Sequence, residues 1–193
     1  AHNDCAVWLI QELRANGATV ELQRGQMPDY RGNIQQIYNI VAHFATPEIA
    51  HRPRILLCAH YDTRPWCDEE PDYADRSYNV PGANDGASGV GVLMEVARQL
   101  GLRIVDSTLT TPVDIIFFDC EDMGTPHSYT GQEREDTWCL GSQLWAVNYT
   151  KMPNAKYQFG ILLDMVGAPD ATFPRELYST QYAANYQQQI WRA

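Results

Sequence analysis

The sequence predicts an α/β fold: a three-layer sandwich with a mixed central sheet, parallel in its middle, and helices on both faces. Three observations predict it. Strand-like and helix-like apolar patterns alternate along the chain. "RILLCA" (54–59), "VDIIFFD" (113–119) and "FGILLD" (159–164) are almost continuous apolar runs, the pattern of strands covered on both faces. Each run also finishes on acid or imidazole: His60 and Asp62, then Asp119, Glu121 and Asp122, then Asp164. Open α/β sheets bind ligands beyond the carboxyl ends of their strands, so this pattern points to one shared rim.

Taken in order, residues 4–15 place Ala6, Val7, Leu9, Ile10 and Leu13 at helical spacing, with Asn3 or Asp4 as N-cap and Gly17 as stop. "ATVELQ" (18–23) alternates like a strand, and "IQQIYNIVAHF" (34–44) reads as a second one. The short connection "RGQMPDYRG" between them predicts an antiparallel pair. Residues 66–81 are rich in Pro and Asp and read as a loop. "GANDGASGVGVLMEVARQLG" (82–101) passes from a Gly-rich turn into a helix capped by Gly101. After the strand at 113–119, residues 123–137 form a long loop, 140–149 a short helix, 159–164 a buried strand and 176–193 a final helix.

The chain has 193 residues, 45% of them hydrophobic and 20% charged, which suits a single domain over 1–193. No linker or repeat divides it. The chain opens almost directly into a helix and its final helical pattern lacks a stop signal, so the expectation is part of a larger domain, with elements missing at either end. The net charge of −10 argues against a nucleic-acid partner. No run is long and apolar enough for a transmembrane helix. The five cysteines include no CxxC pair. Cys58 and Cys120 read as small buried hydrophobes, and a Cys67–Cys139 disulfide is one open alternative.

A rim gathering Asp62, Asp85, Asp119, Glu121, Asp122 and Asp164 is electrostatically costly, because neighbouring carboxylates repel. Lys is absent nearby, and only Arg64 and Arg76 are close in sequence. A divalent cation answers the repulsion, and mixed carboxylate and imidazole donors suit zinc. Asp85 stands in a Gly-rich turn before a helix, where the helix N-terminus favours negative charge. Glu121 and Asp122 are consecutive and point different ways, so one can bind metal while the other works as acid and base. His2, His43, His51 and His127 read as surface or loop histidines, His127 being kept in reserve for the site. Trp66, Trp138 and Arg64 are open candidates for its surroundings.

These residues carry a resemblance. "HYD" (60–62), "GANDGASGVGVLMEVAR" (82–98), "FFDCED" (117–122) and "LLDMVG" (162–167) resemble the zinc-dependent M28 aminopeptidase-like superfamily. "AHYDTRPW" (59–66), "ED" in place of "EE", and "WCLGS" (138–142) look like the bacterial glutaminyl cyclases related to the animal type. That resemblance implies conversion of N-terminal glutamine in peptides or proteins to pyroglutamate, with loss of ammonia. It makes Asp85 and Asp122 metal ligands, Glu121 the general acid/base and Asp164 a second catalytic carboxylate. One zinc ion is implied, with a third ligand, a histidine, beyond Ala193, in a C-terminal third of the domain that the resemblance implies this chain lacks. His60 matches a residue that binds a second zinc in aminopeptidases and is no ligand in cyclases. The peptide after Asp85 is expected to be cis. The animal-type disulfide is expected to be absent, because Cys58 matches one half and Val90 the other. The resemblance also implies a monomer acting outside the cytoplasm, periplasmic, secreted or lipid-anchored. Two alternatives stay open: a two-zinc M28 aminopeptidase, and a non-catalytic domain on the same scaffold.

Overall fold

Every residue of strand β4 (Val113–Phe118) is buried, so it lies at the centre of the sheet. It pairs antiparallel with β2 (Ile34–Phe44) and parallel with β3 (Arg54–His60). β1 (Thr19–Pro28) joins β2 antiparallel, and β5 (Tyr157–Leu162) joins β3 parallel. The order is β1-β2-β4-β3-β5, a mixed sheet with a parallel middle. This computed structural model describes residues 2–72, 76, 78–151 and 156–192.

Strand alternation sends successive side chains to opposite faces. Ile40, Ala42, Phe44, Val113, Ile115 and Phe117 face one side, where α1 (His2–Ala15) and α2 (Ala87–Val105) cover them with Leu9, Leu13, Leu93 and Ala97. Val41, Cys58, Ile116 and Phe118 face the other side, against Trp145 of α3 (Leu140–Tyr149). Helices therefore lie on both faces, as the apolar runs predict. Because β3, β4 and β5 are parallel, their carboxyl ends share one edge. β2 runs the opposite way, so its early residues reach the same edge.

Three local expectations change, and one open alternative closes. The hairpin is longer than predicted: β1 continues through Gly25 to Pro28 in register with β2, and the turn lies at 29–33. A Cβ at Gly25 would fall 2.4 Å from the Leu144 side chain, so its absence lets α3 pack on the strand. β5 is not a buried strand. Among the described residues it pairs only with β3, and Leu162 is 62% exposed. The single helix expected over 176–193 is two helices, α4 (Leu177–Tyr182) and α5 (Ala184–Ile190), broken where Ala183 leaves helical φ/ψ. The cysteines described are all free, so no Cys67–Cys139 bridge forms.

A buried polar brace ties α3 to the functional edge. Asn39, wholly buried in β2, donates from Nδ2 to Gln23 Oε1 and to Gly141 O, both at 2.8 Å. Its Oδ1 accepts from Asp119 N at 3.0 Å. A Cβ at Gly141 would stand 2.2 Å from Asp119 O and 2.5 Å from Asn39 Oδ1. Gly141→Ala is therefore expected to force α3 outward and lower stability by about 1–3 kcal/mol. Urea unfolding checks this: the midpoint falls while the slope stays constant.

Candidate metal centre

Each carboxyl-terminal strand end delivers a different donor to the edge. β3 ends on His60, whose side chain is 2% exposed. β4 ends at Phe118, and the chain turns through Asp119 and Cys120 before presenting Glu121 and Asp122. β5 ends at Leu162, and Asp164 follows two residues later. Asp85 arrives from the turn that opens α2.

The turns are conformationally demanding. Cys120 (φ 53°) and Met165 (φ 46°) adopt left-handed backbone next to Glu121 and Asp164. Such conformations cost of order 1–3 kcal/mol and persist only where surrounding contacts enforce them. After Asp85 the chain passes through Gly86 at φ 83°, where a Cβ would meet Asp62 O at 2.9 Å and the His60 ring at 3.1 Å. The Gly-rich turn thus serves close approach to His60. The cis peptide expected after Asp85 is absent: no described peptide bond is cis, and the reversal is made by Gly86. The same turn pins the loop behind Asp164. Asn84 Oδ1 accepts from Gly167 N at 2.9 Å, and Ser88 Oγ accepts from Val166 N at 3.0 Å.

The donors converge on buried His60. Its Nε2 lies 2.9 Å from Asp85 Oδ1 and 3.5 Å from Asp164 Oδ1. Donor atoms of His60, Asp85 and Asp164 lie within 4.8 Å of one another, as do those of His60, Glu121 and Asp122. All four predicted site residues, Asp85, Glu121, Asp122 and Asp164, therefore share one locus with His60. The adjacent acids face different cavities. Asp122 lines an open cleft of about 380 Å³ with Asp85, Arg64, Trp66 and Trp138. Glu121 lines a small recess of about 120 Å³ with His60, Cys139 and Asp164.

The electrostatics call for positive charge. Burial, then the Glu121 and Asp85 carboxylates, push Asp122 up to about 7. Burial pulls His60 down, but Asp164, Asp62 and Glu121 outweigh it and push the imidazole up to about 11. The neighbouring His60 imidazole, opposed by burial, holds Asp164 below the ordinary carboxylate range. Despite the short approach to Asp85, neither His60 nitrogen makes an aligned hydrogen bond among the described residues, and buried Asp122 Oδ2 has no hydrogen-bond partner among them. An orphaned buried carboxylate oxygen and an unpaired imidazole amid crowded carboxylates fit a divalent cation, and this mixed O and N set suits zinc.

Two rim acids have other duties. Asp62 accepts from Glu121 N at 3.0 Å and from Asp122 N at 3.1 Å, so it sets the backbone of the acidic pair. Asp119 turns from the cluster and accepts from Tyr38 N and Cys120 N, both at 2.9 Å. It also meets His2, whose Nε2 is 3.1 Å from Oδ1 and whose ring stacks on Tyr61 at 4.9 Å. His2 is thus no plain surface histidine, and neither is His43, which pairs with buried Asp114 at 2.9 Å. Arg64 meets no rim carboxylate side chain. It grips Asp68 at 2.6 Å, donates to Asp122 O at 2.8 Å, and lies over Trp138 at 4.6 Å and Trp66 at 5.1 Å. His127, kept in reserve for the site, lines the same cleft as Asp122 and pairs there with Glu69, away from the cluster around His60. The sequence reading missed the backbone-holding roles of Asp62 and Asn39. The one signal for Asn39 was an amide inside the apolar run of β2.

The family model of peptidase family M28 matches residues 39–193. The chain belongs to peptidase family M28. Among solved structures it is similar to a glutaminyl cyclase of Tannerella forsythia, at 44% identity and TM-score 0.87, covering 99% of this chain and 62% of that one. A glutaminyl cyclase of Bacteroides thetaiotaomicron shares 40% identity at TM-score 0.90, covering 99% of this chain and 63% of that one. A Zn-dependent exopeptidase of Parabacteroides distasonis shares 42% identity at TM-score 0.89, covering 99% and 62%. The chain thus spans less than two thirds of these relatives.

Two outcomes follow. Asp62→Ala frees two amides that orient Glu121 and Asp122, and is expected to weaken zinc binding by the full-length protein about 10- to 100-fold. Competition against a chromogenic chelator reads the change. The hydrogen bond with Asp119 raises the His2 imidazole despite its burial. A raised folded value means the stabilisation is complete below the ordinary histidine value and lost as pH climbs through the folded one. The melting-temperature advantage of the wild type over His2→Phe, which keeps the ring stack, should be larger at about pH 5.5 than at about pH 9.5.

Proposed function

We propose that this chain is the core of a glutaminyl cyclase, which converts N-terminal glutamine of peptides or proteins to pyroglutamate with release of ammonia. The observation that carries the reading is likeness over 99% of the chain, at 40–44% identity, to glutaminyl cyclases. Asp85 and Asp122 are the zinc ligands this chain supplies, and a histidine outside residues 1–193 completes the set. Zinc bound there supplies Lewis-acid polarisation of the glutamine side-chain carbonyl.

The remaining chemistry belongs to side chains. Glu121 takes a proton from the α-amine as its nitrogen bonds to the side-chain amide carbon. It hands that proton to the amide nitrogen as the carbon–nitrogen bond breaks and ammonia leaves. One acid/base group suffices because proton removal and delivery occur in sequence at neighbouring nitrogens. Asp164, in the same recess as Glu121, holds the departing amide. The nucleophile is tethered to its target, so little entropy opposes ring closure. The cleft between Trp66 and Trp138 offers apolar walls for an uncharged side chain, with Arg64 held between them.

A second reading, a two-zinc aminopeptidase, draws on the approach of His60, Asp85 and Asp164 donors within 4.8 Å. In it His60 and Asp164 hold a second ion and Glu121 activates a water. Family resemblance supports a cyclase that acts outside the cytoplasm as a monomer. No described helix is long and apolar enough to cross a membrane.

The test uses the full-length protein. With a Gln-starting dipeptide it should release ammonia, stop on chelation and recover with zinc. Glu121→Gln should lower kcat by roughly 10²–10⁴-fold while one zinc per chain is retained. Two tightly bound zinc ions, with free amino acid liberated from Leu- or Ala-starting peptides and no ammonia, would establish the aminopeptidase instead.

A further inference from the structure

The recess beside the metal centre contains a thiol to which neither function reading gives a task. Cys139 Sγ lies 3.1 Å from Glu121 Oε1. The contact is not an isolated approach of two side chains. Cys139 N donates to Glu121 O at 2.8 Å, and the next amide, Leu140 N, donates to Cys120 O at 3.0 Å. Two consecutive residues at the start of α3 thus clasp Cys120 and Glu121 in the turn beyond β4. Cys139 makes this clasp from a left-handed conformation, φ 55° and ψ 37°. Behind it, Gly141 packs against Asp119 O and Asn39, which fixes the distance between α3 and the turn after β4. The clasp holds Glu121 at both ends: its carbonyl by the Cys139 amide, its carboxylate by the Cys139 thiol.

A second carboxylate contact makes this necessary. Glu121 and Asp122 are adjacent, their carboxyl groups are close, and both have donor atoms near His60. An unrestrained Glu121 could swing toward the cation and become a ligand. A neutral donor on the recess side holds it back without adding a charge beside the metal. The thiol stays protonated and able to donate, because burial, then the Glu121 carboxylate, push it up to about 12. An S–H group is a weak donor, so it sets direction while leaving the carboxylate free to accept a second proton.

Resting on the role given to Glu121 above, we propose that Cys139 is the positioning residue of that general base, its thiol donating to Oε1 and its amide to the Glu121 carbonyl. The thiol acts only through the orientation of Glu121.

The test uses the zinc-loaded, full-length protein. Cys139→Ala should lower kcat about tenfold, the scale of one hydrogen bond to a charged group. KM, zinc content and melting temperature should remain close to wild type. Cys139→Ser, which restores a donor of similar size, should recover most of the lost kcat. An infrared difference spectrum of wild type against Cys139→Ser isolates the Cys139 S–H stretch, and that band should move in Glu121→Gln. Full kcat in the alanine variant, equal losses in both variants, or a band indifferent to Glu121→Gln would overturn the proposal. If the wild type releases no ammonia, the cyclase reading falls, and the infrared band alone decides whether Cys139 holds Glu121.

Discussion

Mutual repulsion among carboxylates brought to one edge of the sheet governs this molecule. Asp85, Glu121, Asp122 and Asp164 crowd an imidazole that is 2% exposed, and Coulomb energies at such separations are several-fold larger there than in water. The upward push on Asp122 is the direct expression of that crowding. A cation relieves it. Without one, the cluster must hold protons that a carboxylate in water would give up. The acid cluster and the proposed metal chemistry are thus two descriptions of one electrostatic problem.

Holding such a cluster together requires a frame that resists it. The parallel trio β3, β4 and β5 supplies the frame, since its three strand ends emerge side by side. Two of the turns beyond those ends are then held in left-handed backbone, at Cys120 and Met165, and the clasp on Glu121 comes from a third such residue, Cys139. The energy to enforce them comes from neighbours that take no part in chemistry. Asp62 fills the amides of the acidic pair, Asn39 bridges β1, α3 and the turn after β4, and Arg64 threads its guanidinium between two indoles to hold the Asp122 and Gly124 carbonyls. Rigid support of this kind lets a site hold unfavourable charges in a defined geometry.

Much of this was readable one residue at a time. A strand that is apolar on both faces and stops on an acid is a local pattern, and β3, β4 and the donors His60, Glu121, Asp122 and Asp164 all carry it. The Gly-rich turn with Asp85 is local as well, although the cis bond attached to it by family resemblance is not there. Other expectations failed where a partner far along the chain decides. Gly25 reads as a loop residue, but pairing with β2 carries the strand through it. The run at β5 reads as buried, but its exposure depends on what lies beside it in the sheet. Asp119 reads as one more rim acid, and the Tyr38 amide, 81 residues away in sequence, turns it aside.

The sequence by itself determined which segments become strands and that their ends carry acids, because side-chain periodicity and turn chemistry act over a few residues. Only the tertiary structure decided which acids gather around His60, which brace the backbone and which thiol lies against Glu121. Those assignments are made by hydrogen bonds between residues distant in the chain, and they come into being only when the sheet and its helices are assembled.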